Sequence, residues 1–252
     1  MIKVNYPHKI LQITKFSIHH PFELSKFFYY EIVSHIVKVR PKVIFSIPYF
    51  SQWESREAVD FFFNEKISLL HDPSWKKSGA ISAIEYHYWS HNLSAMVCLK
   101  MILFLKFHRE FQTIPLLKIA LSYNVYKLKF GEVLGIFPVK IPLFLKKEFN
   151  IRSIPVHNIS LSRIFYEMNK ENFFMAKVDT GIRNPDKGKL KKNNYVLITG
   201  YDLKKELFYI HNPVGIYRQS QENAQVSFRE FRQFFLNRGV IIKNDWMFEF
   251  FL

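Results

Sequence analysis

The hydrophobic positions in the middle of the chain recur at helical spacing. Between Leu93 and Phe107 the apolar residues that set this period are Met96, Val97, Met101, Ile102 and Leu105. Ser94 stands at the start of the run, where a small polar side chain is favoured at a helix N-terminus. The pattern therefore predicts a helix over residues 93–107. Further helices are predicted over residues 115–127, 142–148, 161–169 and 228–237.

The second half of the chain also contains short apolar runs that are typical of strands. Strands are predicted over residues 173–178, 195–199, 207–211 and 240–242. Because most of the predicted helices precede the predicted strands, the layout is that of an α+β protein.

The first 44 residues alternate apolar and polar positions in a way that suits strands or a short helix. The apolar positions are Ile10, Ile13, Phe16 and Ile18, followed by Ile32, Ile36 and Val39. We predict an N-terminal extension over residues 1–44 that packs on a main domain over residues 45–252. The pattern does not decide whether the extension is an added β-layer or an interaction arm.

Composition indicates a globular protein that is long enough for one well-packed domain. The chain has 252 residues, of which 48% are hydrophobic, and it contains 27 phenylalanines against 8 glycines. Its one cysteine, Cys98, excludes an intramolecular disulfide and a cysteine-rich zinc site. We expect Cys98 to pack in the core. No metal and no cofactor is predicted.

The chain is strongly basic, with a formal net charge of +15. Its lysines and arginines are spread from Lys3 to Lys243 and are densest at residues 187–192, in a predicted loop. We interpret them as a solvated basic surface; an anionic partner, such as an acidic peptide, a membrane surface or RNA, is the alternative. No helix-turn-helix, RNP or zinc-finger pattern is present, so nucleic acid is not the expected partner.

The sequence predicts a cytoplasmic protein without a transmembrane segment. Residues 1–7 lack the apolar core of a signal peptide. The longest apolar run, from Met101 to Phe107, is interrupted by Lys106 and is too short to cross a bilayer.

Two stretches of the chain look like the two halves of a cysteine-peptidase site. Residues 92–101, N-L-S-A-M-V-C-L-K-M, resemble the N-L-C-G-x-A-C-L-K-M of the C39-like peptidases, a papain-like group. Residues 193–201, N-N-Y-V-L-I-T-G-Y, resemble the family's G-H-x-V-L-V-T-G-Y. In this alignment Ser94 occupies the position of the nucleophilic cysteine, and Asn194 occupies that of the catalytic histidine.

The resemblance extends over about residues 45 to 242. Residues 47–52 resemble the family's opening strand, in which Gln52 takes the oxyanion position, and Asn212 takes the position of the group that orients the histidine. Shorter matches occur at residues 72–75, 78–80, 85–89 and 182–185. The resemblance implies a papain-like cysteine peptidase fold of the α+β class, with N-terminal helices packed on an antiparallel β-sheet.

The residues at the matched positions do not supply the family's chemistry. A papain-like site needs a thiolate and an imidazole, but an asparagine amide accepts no proton at neutral pH, and a serine without a base is a poor nucleophile. Losing general-base assistance alone lowers a rate by about a hundred- to ten-thousandfold. Ala95 also replaces a glycine beside the nucleophile position. His87 or His91 could serve Ser94 instead, whereas His211 is interpreted as structural.

We therefore predict a catalytically inactive pseudopeptidase that binds a peptide or peptidyl intermediate. Its role would be that of an accessory in peptide maturation, secretion or natural-product biosynthesis, with a biosynthetic or transport partner. The predicted groove is lined by Gln52, Ser94 and Asn194 together with the binding positions Trp53, Trp89, Ala95 and Tyr195. Two alternatives stay open: a hydrolase or acyl transferase that uses Ser94, and an inactive structural subunit of an active paralogue.

Overall fold

The computed structural model describes residues 21–245, and an antiparallel sheet of seven strands lies at its centre. The order across the sheet is β4-β9-β5-β6-β7-β8, and β1 pairs with the C-terminal end of β6. The strands are β1 (Lys42–Ile44), β4 (Ser153–His157), β5 (Phe173–Asp179), β6 (Asn193–Asp202), β7 (Leu207–His211), β8 (Ala224–Ser227) and β9 (Phe235–Ile242). A separate hairpin consists of β2 (Tyr126–Lys129) and β3 (Glu132–Ile136).

Eight α-helices accompany the sheet within the described residues. They are α1 (Pro21–Ile36), α2 (Val59–Asn64), α3 (Ala83–Ser90), α4 (Ser94–Phe107), α5 (Thr113–Ser122), α6 (Ile141–Phe149), α7 (Leu161–Asn169) and α8 (Phe228–Phe234). Short 3₁₀ helices lie at Arg56–Ala58, Leu69–His71, Trp75–Ser78, Pro138–Lys140, Thr180–Arg183, Pro185–Lys187 and Arg218–Ser220. Over the described part of the chain, no helix is both long and apolar enough to span a membrane.

The two faces of the sheet are covered by different helices. Because side chains alternate along a strand, Tyr195 and Leu197 of β6 pack in one cluster with α4, whereas Val196 and Ile198 pack in another with α7 and α8. Helix α4 is buried from Ser94 to Leu103, as expected for a helix that is apolar on every side. The sheet therefore separates the N-terminus of α4 from the helices on the opposite face.

The predicted α+β class, with helices packed on an antiparallel sheet, is confirmed. Helix 161–169 and strand 207–211 occur as predicted, and the helix predicted from residue 93 begins at Ser94. For two helices, the predicted range extends past the residue at which the observed helix ends. Helix α5 ends at Ser122 because Asn124 is left-handed and the β2–β3 hairpin follows. Helix α8 ends at Phe234 because the next residues pair with β5 and β4.

The described part of the N-terminal segment packs on the rest of the chain. Helix α1 lies against α7, where the Arg163 guanidinium is 3.9 Å from the centre of the Tyr30 ring. Strand β1 extends the sheet beside β6, with Val43 paired to Tyr201. The apolar positions between residues 10 and 18 lie outside the described residues. The division of the chain after residue 44 stays a prediction.

Candidate functional site

Ser94 opens helix α4, as the motif predicted, but its hydroxyl serves as a structural contact. Its Oγ accepts a hydrogen bond from the backbone N–H of Tyr195 at 3.2 Å. Only 5% of the residue is exposed. The hydroxyl therefore joins the start of α4 to the start of β6. No imidazole nitrogen in residues 21–245 makes a hydrogen bond to this oxygen.

Asn194, at the histidine position, is hydrogen-bonded away from Ser94. Its Nδ2 donates to Thr180 Oγ1 at 2.7 Å, and that hydroxyl donates to the Lys192 carbonyl at 3.0 Å. Because side chains alternate along a strand, the Asn194 side chain lies on the same face of the sheet as Val196. This is the face opposite to the one that packs on α4. The Asn194 amide thus closes the connection between β5 and β6, and no hydrogen bond joins it to Ser94 among the described residues.

Asn212, at the orienting position, is buried in a local turn. Its Oδ1 accepts the backbone N–H of Val214 at 3.2 Å, and its carbonyl accepts the Tyr49 hydroxyl at 3.0 Å. Such an Asx turn is a common use of asparagine at the end of a strand. The side chain makes no hydrogen bond to Asn194 within the described chain, so the three motif positions do not form a connected triad.

Gln52, at the oxyanion position, holds two segments together. Its Nε2 donates to the Ser90 carbonyl at 2.6 Å, and its backbone N–H donates to the Pro213 carbonyl at 2.9 Å. The Oε1 atom is buried and has no hydrogen-bond partner among residues 21–245. One of the two amide N–H groups is therefore used to hold helix α3, and the side chain is fixed by a contact within the fold.

Neither His87 nor His91 is hydrogen-bonded to Ser94 in the described structure. The rings of His87 and His91 lie 5.4 Å apart in an edge-on arrangement. Burial, followed by the nearby His87 and Lys192, lowers the pKa of His91. A base for Ser94 would have to lie within hydrogen-bond reach of its hydroxyl, and neither ring nitrogen makes that contact in the described structure.

His211 is a buried structural residue, as its position in the strand indicated. Its Nδ1 accepts the backbone N–H of Asn223 at 3.0 Å, so this nitrogen carries no hydrogen. The hydrogen is therefore on Nε2, which donates to the Ile47 carbonyl at 2.8 Å. Burial lowers the pKa of the ring. His211 is thus held neutral between the opening segment and the β7–β8 connection.

The predicted binding positions are buried in the free chain. Trp53 packs edge-on against Phe63, with ring centres 4.9 Å apart, and Trp89 packs against Tyr126 at 6.0 Å. Ala95 and Tyr195 belong to the cluster around α4. A ligand could touch these side chains only if the interior opened, so their role in binding stays a prediction.

Cys98 lies in the core, as predicted from its position one turn after Ser94. It is fully buried, and burial raises the pKa of its thiol well above the usual value. The thiolate, which is the nucleophilic form, is therefore disfavoured. Burial therefore disfavours Cys98, the chain's one cysteine, as a nucleophile.

A charged cluster beside the site was not found by sequence analysis. The Lys100 ammonium is buried in α4, pairs with Glu110 at 2.7 Å and lies 4.4 Å from the centre of the Phe50 ring. Burial raises the pKa of the nearby Glu54 to about 7, although Lys100 acts in the opposite direction. Lys100 is part of the family motif. However, the position of Glu54 near Lys100 depends on how the loop that contains Glu54 folds.

Asp72 fixes that loop to helix α3. Its carboxylate accepts the Tyr86 hydroxyl at 2.6 Å, the Ser74 backbone N–H at 2.9 Å and the Ser55 hydroxyl. Tyr86 in turn accepts the backbone N–H of Glu54 at 3.0 Å. The Asp72 stretch that resembles the family is therefore structural in this chain, because it sets the position of residues 52–55 against the start of α4.

An open cavity of about 410 Å³ lies beside strand β8, and Asn212, at the orienting position, belongs to its lining. Its polar lining includes Arg183, Asn184, Asp186, Asn212, Gln225 and Glu230. Strand β8 is an edge of the sheet and pairs only with β7 in the described structure. Residues 182–185, which matched the family in sequence, are part of this lining, but the sequence analysis assigned them no binding role, and the contribution of β8 required the sheet order.

Comparisons with known proteins add a distant likeness. No family model matches this chain, and no curated protein matches it. Among solved structures, a crystal structure described as a C39-like peptidase from Bacillus anthracis is similar, with a TM-score of 0.43 and 12% sequence identity. The match covers 61% of this chain and 89% of the other. A likeness of this size carries no information about activity, substrate or partner.

Proposed function

We propose that this chain is a catalytically inactive C39-like protein that binds an extended peptide or peptidyl group without cleaving it. The observation that carries the proposal is the contact of Ser94, whose Oγ accepts the Tyr195 N–H and has no imidazole partner within residues 21–245. The sequence resemblance at residues 92–101 and 193–201 supports the family part of the proposal.

The other groups that hydrolysis requires are engaged elsewhere. Asn194 donates to Thr180, Asn212 closes its own turn, and Gln52 donates to the Ser90 carbonyl. Acyl transfer to Ser94 would need a base for its proton and donors for the developing oxyanion. Since no imidazole is hydrogen-bonded to Ser94 in residues 21–245, we infer that the activity left to this region is non-covalent.

The cavity beside β8 is our candidate for the peptide site. Its volume of about 410 Å³ lies in the range of ligand pockets. An edge strand can pair with an added extended peptide, because its outward N–H and C=O groups have no strand partner. Arg183 and Glu230 in the lining offer charges of both signs to the ligand. Binding there would leave the buried tryptophans undisturbed.

Covalent labelling tests the loss of catalysis. We expect no adduct at Ser94 after treatment with a serine-reactive fluorophosphonate, measured by intact-protein mass and peptide mapping. The control is Ser94→Ala, which should likewise show no mass shift after treatment. An adduct that maps to Ser94 and disappears in Ser94→Ala would overturn the proposal and favour the serine enzyme.

A binding experiment tests the location of the ligand. An arrayed library of short peptides would be screened, and hits would be titrated by isothermal calorimetry. We expect Gln225→Trp, which fills the cavity from an exposed position, to weaken binding at least about tenfold, the effect of losing about 1.4 kcal/mol. Lys204→Trp, exposed in the turn after β6, is the matched control and should bind normally. Equal losses in both variants, or no wild-type binding, would contradict the proposal.

The second candidate is an inactive subunit that pairs with an active paralogue. The burial of Ser94 and Asn194 favours it, because a filled site offers little surface to a substrate. Co-expression with a catalytic paralogue, followed by light scattering on the purified material, tests this candidate. A stable complex, together with no peptide binding by this chain alone, would decide for the subunit role.

A further inference from the structure

The β2–β3 hairpin ends in an aromatic side chain that projects into solvent. Phe130 is 94% exposed and is followed by Gly131, with Lys129 and Glu132 paired on either side of the two-residue turn. A Cβ added to Gly131 would meet no atom within 4 Å. The tip of the hairpin is therefore free of contacts with the described body of the protein, apart from the hydrogen bond that the Gly131 carbonyl accepts from Tyr88.

The conformation of the turn makes a phenylalanine unexpected at this position. Phe130 has a φ of 51° and Gly131 a φ of 81°. Two-residue turns with both angles positive favour Asn-Gly or Asp-Gly, because asparagine, aspartate and glycine tolerate the left-handed region better than bulky residues. Stability alone thus favours a small polar residue at position 130. A bulky apolar residue that is both disfavoured and exposed indicates a functional use.

Apolar side chains are exposed on both faces of the hairpin. Leu128 is paired with Val133, and Leu134 follows Val133 and so points to the opposite face. Both leucines are exposed, as are Phe137 and Val139 in the segment that follows. A partner protein with a flat surface would cover one face. Exposed apolar side chains on both faces are better explained by a surrounding phase into which the whole tip inserts.

The charge around the tip is positive. Residues 127–140 contain three lysines, Lys127, Lys129 and Lys140, against one acidic residue, Glu132. The ammonium groups of Lys127 and Lys129 lie 5.7 Å and 5.3 Å from the ring centres of Phe137 and Phe130. Long basic side chains that lie along aromatic rings can keep their charge in water while the rings enter an apolar phase.

The hairpin is held firmly by the body of the protein. The Tyr88 hydroxyl donates a hydrogen bond to the Gly131 carbonyl, and the Tyr126 hydroxyl donates to the Asn92 carbonyl at 3.1 Å. Val133 packs on the cluster around α4. The tip is therefore presented in one orientation, with little freedom to fold back and bury Phe130.

We propose that this hairpin docks the protein on an anionic lipid surface, with the Phe130 tip in the interface and the three lysines at the headgroups. Exposed apolar residues flanked by lysines are the features by which peripheral proteins bind such surfaces. The formal net charge of +15 adds long-range attraction to a negative surface. This inference does not depend on the peptide-binding proposal, because it uses a different surface.

Vesicle co-sedimentation tests the inference with the full chain. We expect binding to vesicles of equal parts phosphatidylglycerol and phosphatidylcholine, and none to phosphatidylcholine alone. Binding should weaken as salt is raised, because salt screens surface charge. Lys129→Gln should lower the partition coefficient about fivefold, since one lysine near an anionic surface contributes about that factor. Equal binding to both kinds of vesicle, or to neither, would overturn the inference.

Phe130→Asn gives a test that does not depend on destroying the hairpin. Asparagine is favoured at this turn position, so thermal stability should be kept while the partition coefficient falls about tenfold. Ile36→Asn is the matched control, because Ile36 is 76% exposed on α1, which packs on the other face of the sheet. Equal loss in both variants would contradict the inference. So would concentration-dependent self-association of the wild type that Phe130→Asn abolishes without vesicle binding, since the hairpin would then serve a second copy.

Discussion

At the scale of single residues, the polar side chains at the matched positions make contacts within the fold. Gln52 and Asn212 occupy positions that assist catalysis in the family the motifs resemble, and in this chain each makes a hydrogen bond to the backbone. For the proposed absence of catalysis, position 194 matters most, because an asparagine amide that donates to Thr180 cannot accept a proton from Ser94.

Glu54 leads to a prediction about pH. Its pKa is raised to about 7 by burial, from a usual value of 4.5. Between these values the folded protein binds more protons than the unfolded chain, so stability falls as pH rises through this window. In Glu54→Gln this loss should disappear, and the urea midpoint of the variant should exceed that of the wild type above about pH 7. Glu57→Gln, at an exposed position, is the control and should follow the wild type.

At the scale of elements, the T-G-Y end of strand β6 is explained by the approach of β1. A Cβ on Gly200 would lie 2.6 Å from the Val43 carbonyl oxygen and 3.1 Å from Ile44 Cα. Backbone atoms cannot move aside as a flexible side chain can, so the strand needs glycine where β1 crosses its end.

Gly200→Ala should therefore destabilise the protein by about 1–3 kcal/mol, the usual effect of overpacking. The change would be measured by urea unfolding, with Lys204→Ala as the control, because that residue is exposed in the following turn. An effect on Gly200→Ala no larger than that of the control would show that β1 does not hold β6 as the geometry implies.

Prediction from sequence succeeded where the pattern has a single interpretation. Helix α4 was predictable because an apolar segment of its length fits a buried helix and Ser94 marks its start. The first half of strand β9 was not, because the apolar run at residues 228–237 fits a helix until the pairing of Phe235 with Val178 is known, whereas its end at residues 240–242 was predicted as a strand. For the same reason the contact of Asn194 with Thr180 depends on how β5 and β6 align, which no local signal contains.

At the scale of the whole molecule, the sheet joins the described N-terminal segment to the rest of the chain. The Phe45 N–H donates to the Thr199 carbonyl at 2.7 Å, and the Leu203 N–H donates to the Pro41 carbonyl at 2.8 Å. The Val43 side chain is buried in the apolar cluster between the sheet and α7. Strand β1 is thus part of the core, whereas α1 is an added outer layer.

Two truncations should separate these contributions. Deletion of residues 1–37, which removes α1, should leave a folded protein with a lower melting temperature. Deletion of residues 1–45, which also removes β1, should give insoluble or unfolded protein, since it uncovers apolar residues and leaves the end of β6 unpaired on one side. Circular dichroism and thermal melting would distinguish the products. Equal stability of the two truncated chains would place β1 outside the core.

The hydrogen bond between Ser94 and Tyr195 has a consequence for building a Cys–His pair into this scaffold. Exchanging Ser94 for cysteine removes a good acceptor, because sulfur accepts hydrogen bonds weakly, and the contact between α4 and β6 is weakened. Asn194 is directed toward Thr180 and not toward Ser94, so a histidine at position 194 starts from that direction. Under the proposed function, the double variant Ser94→Cys, Asn194→His should therefore be less stable than the wild type and should not hydrolyse peptides. A working pair would require a different backbone at the start of β6.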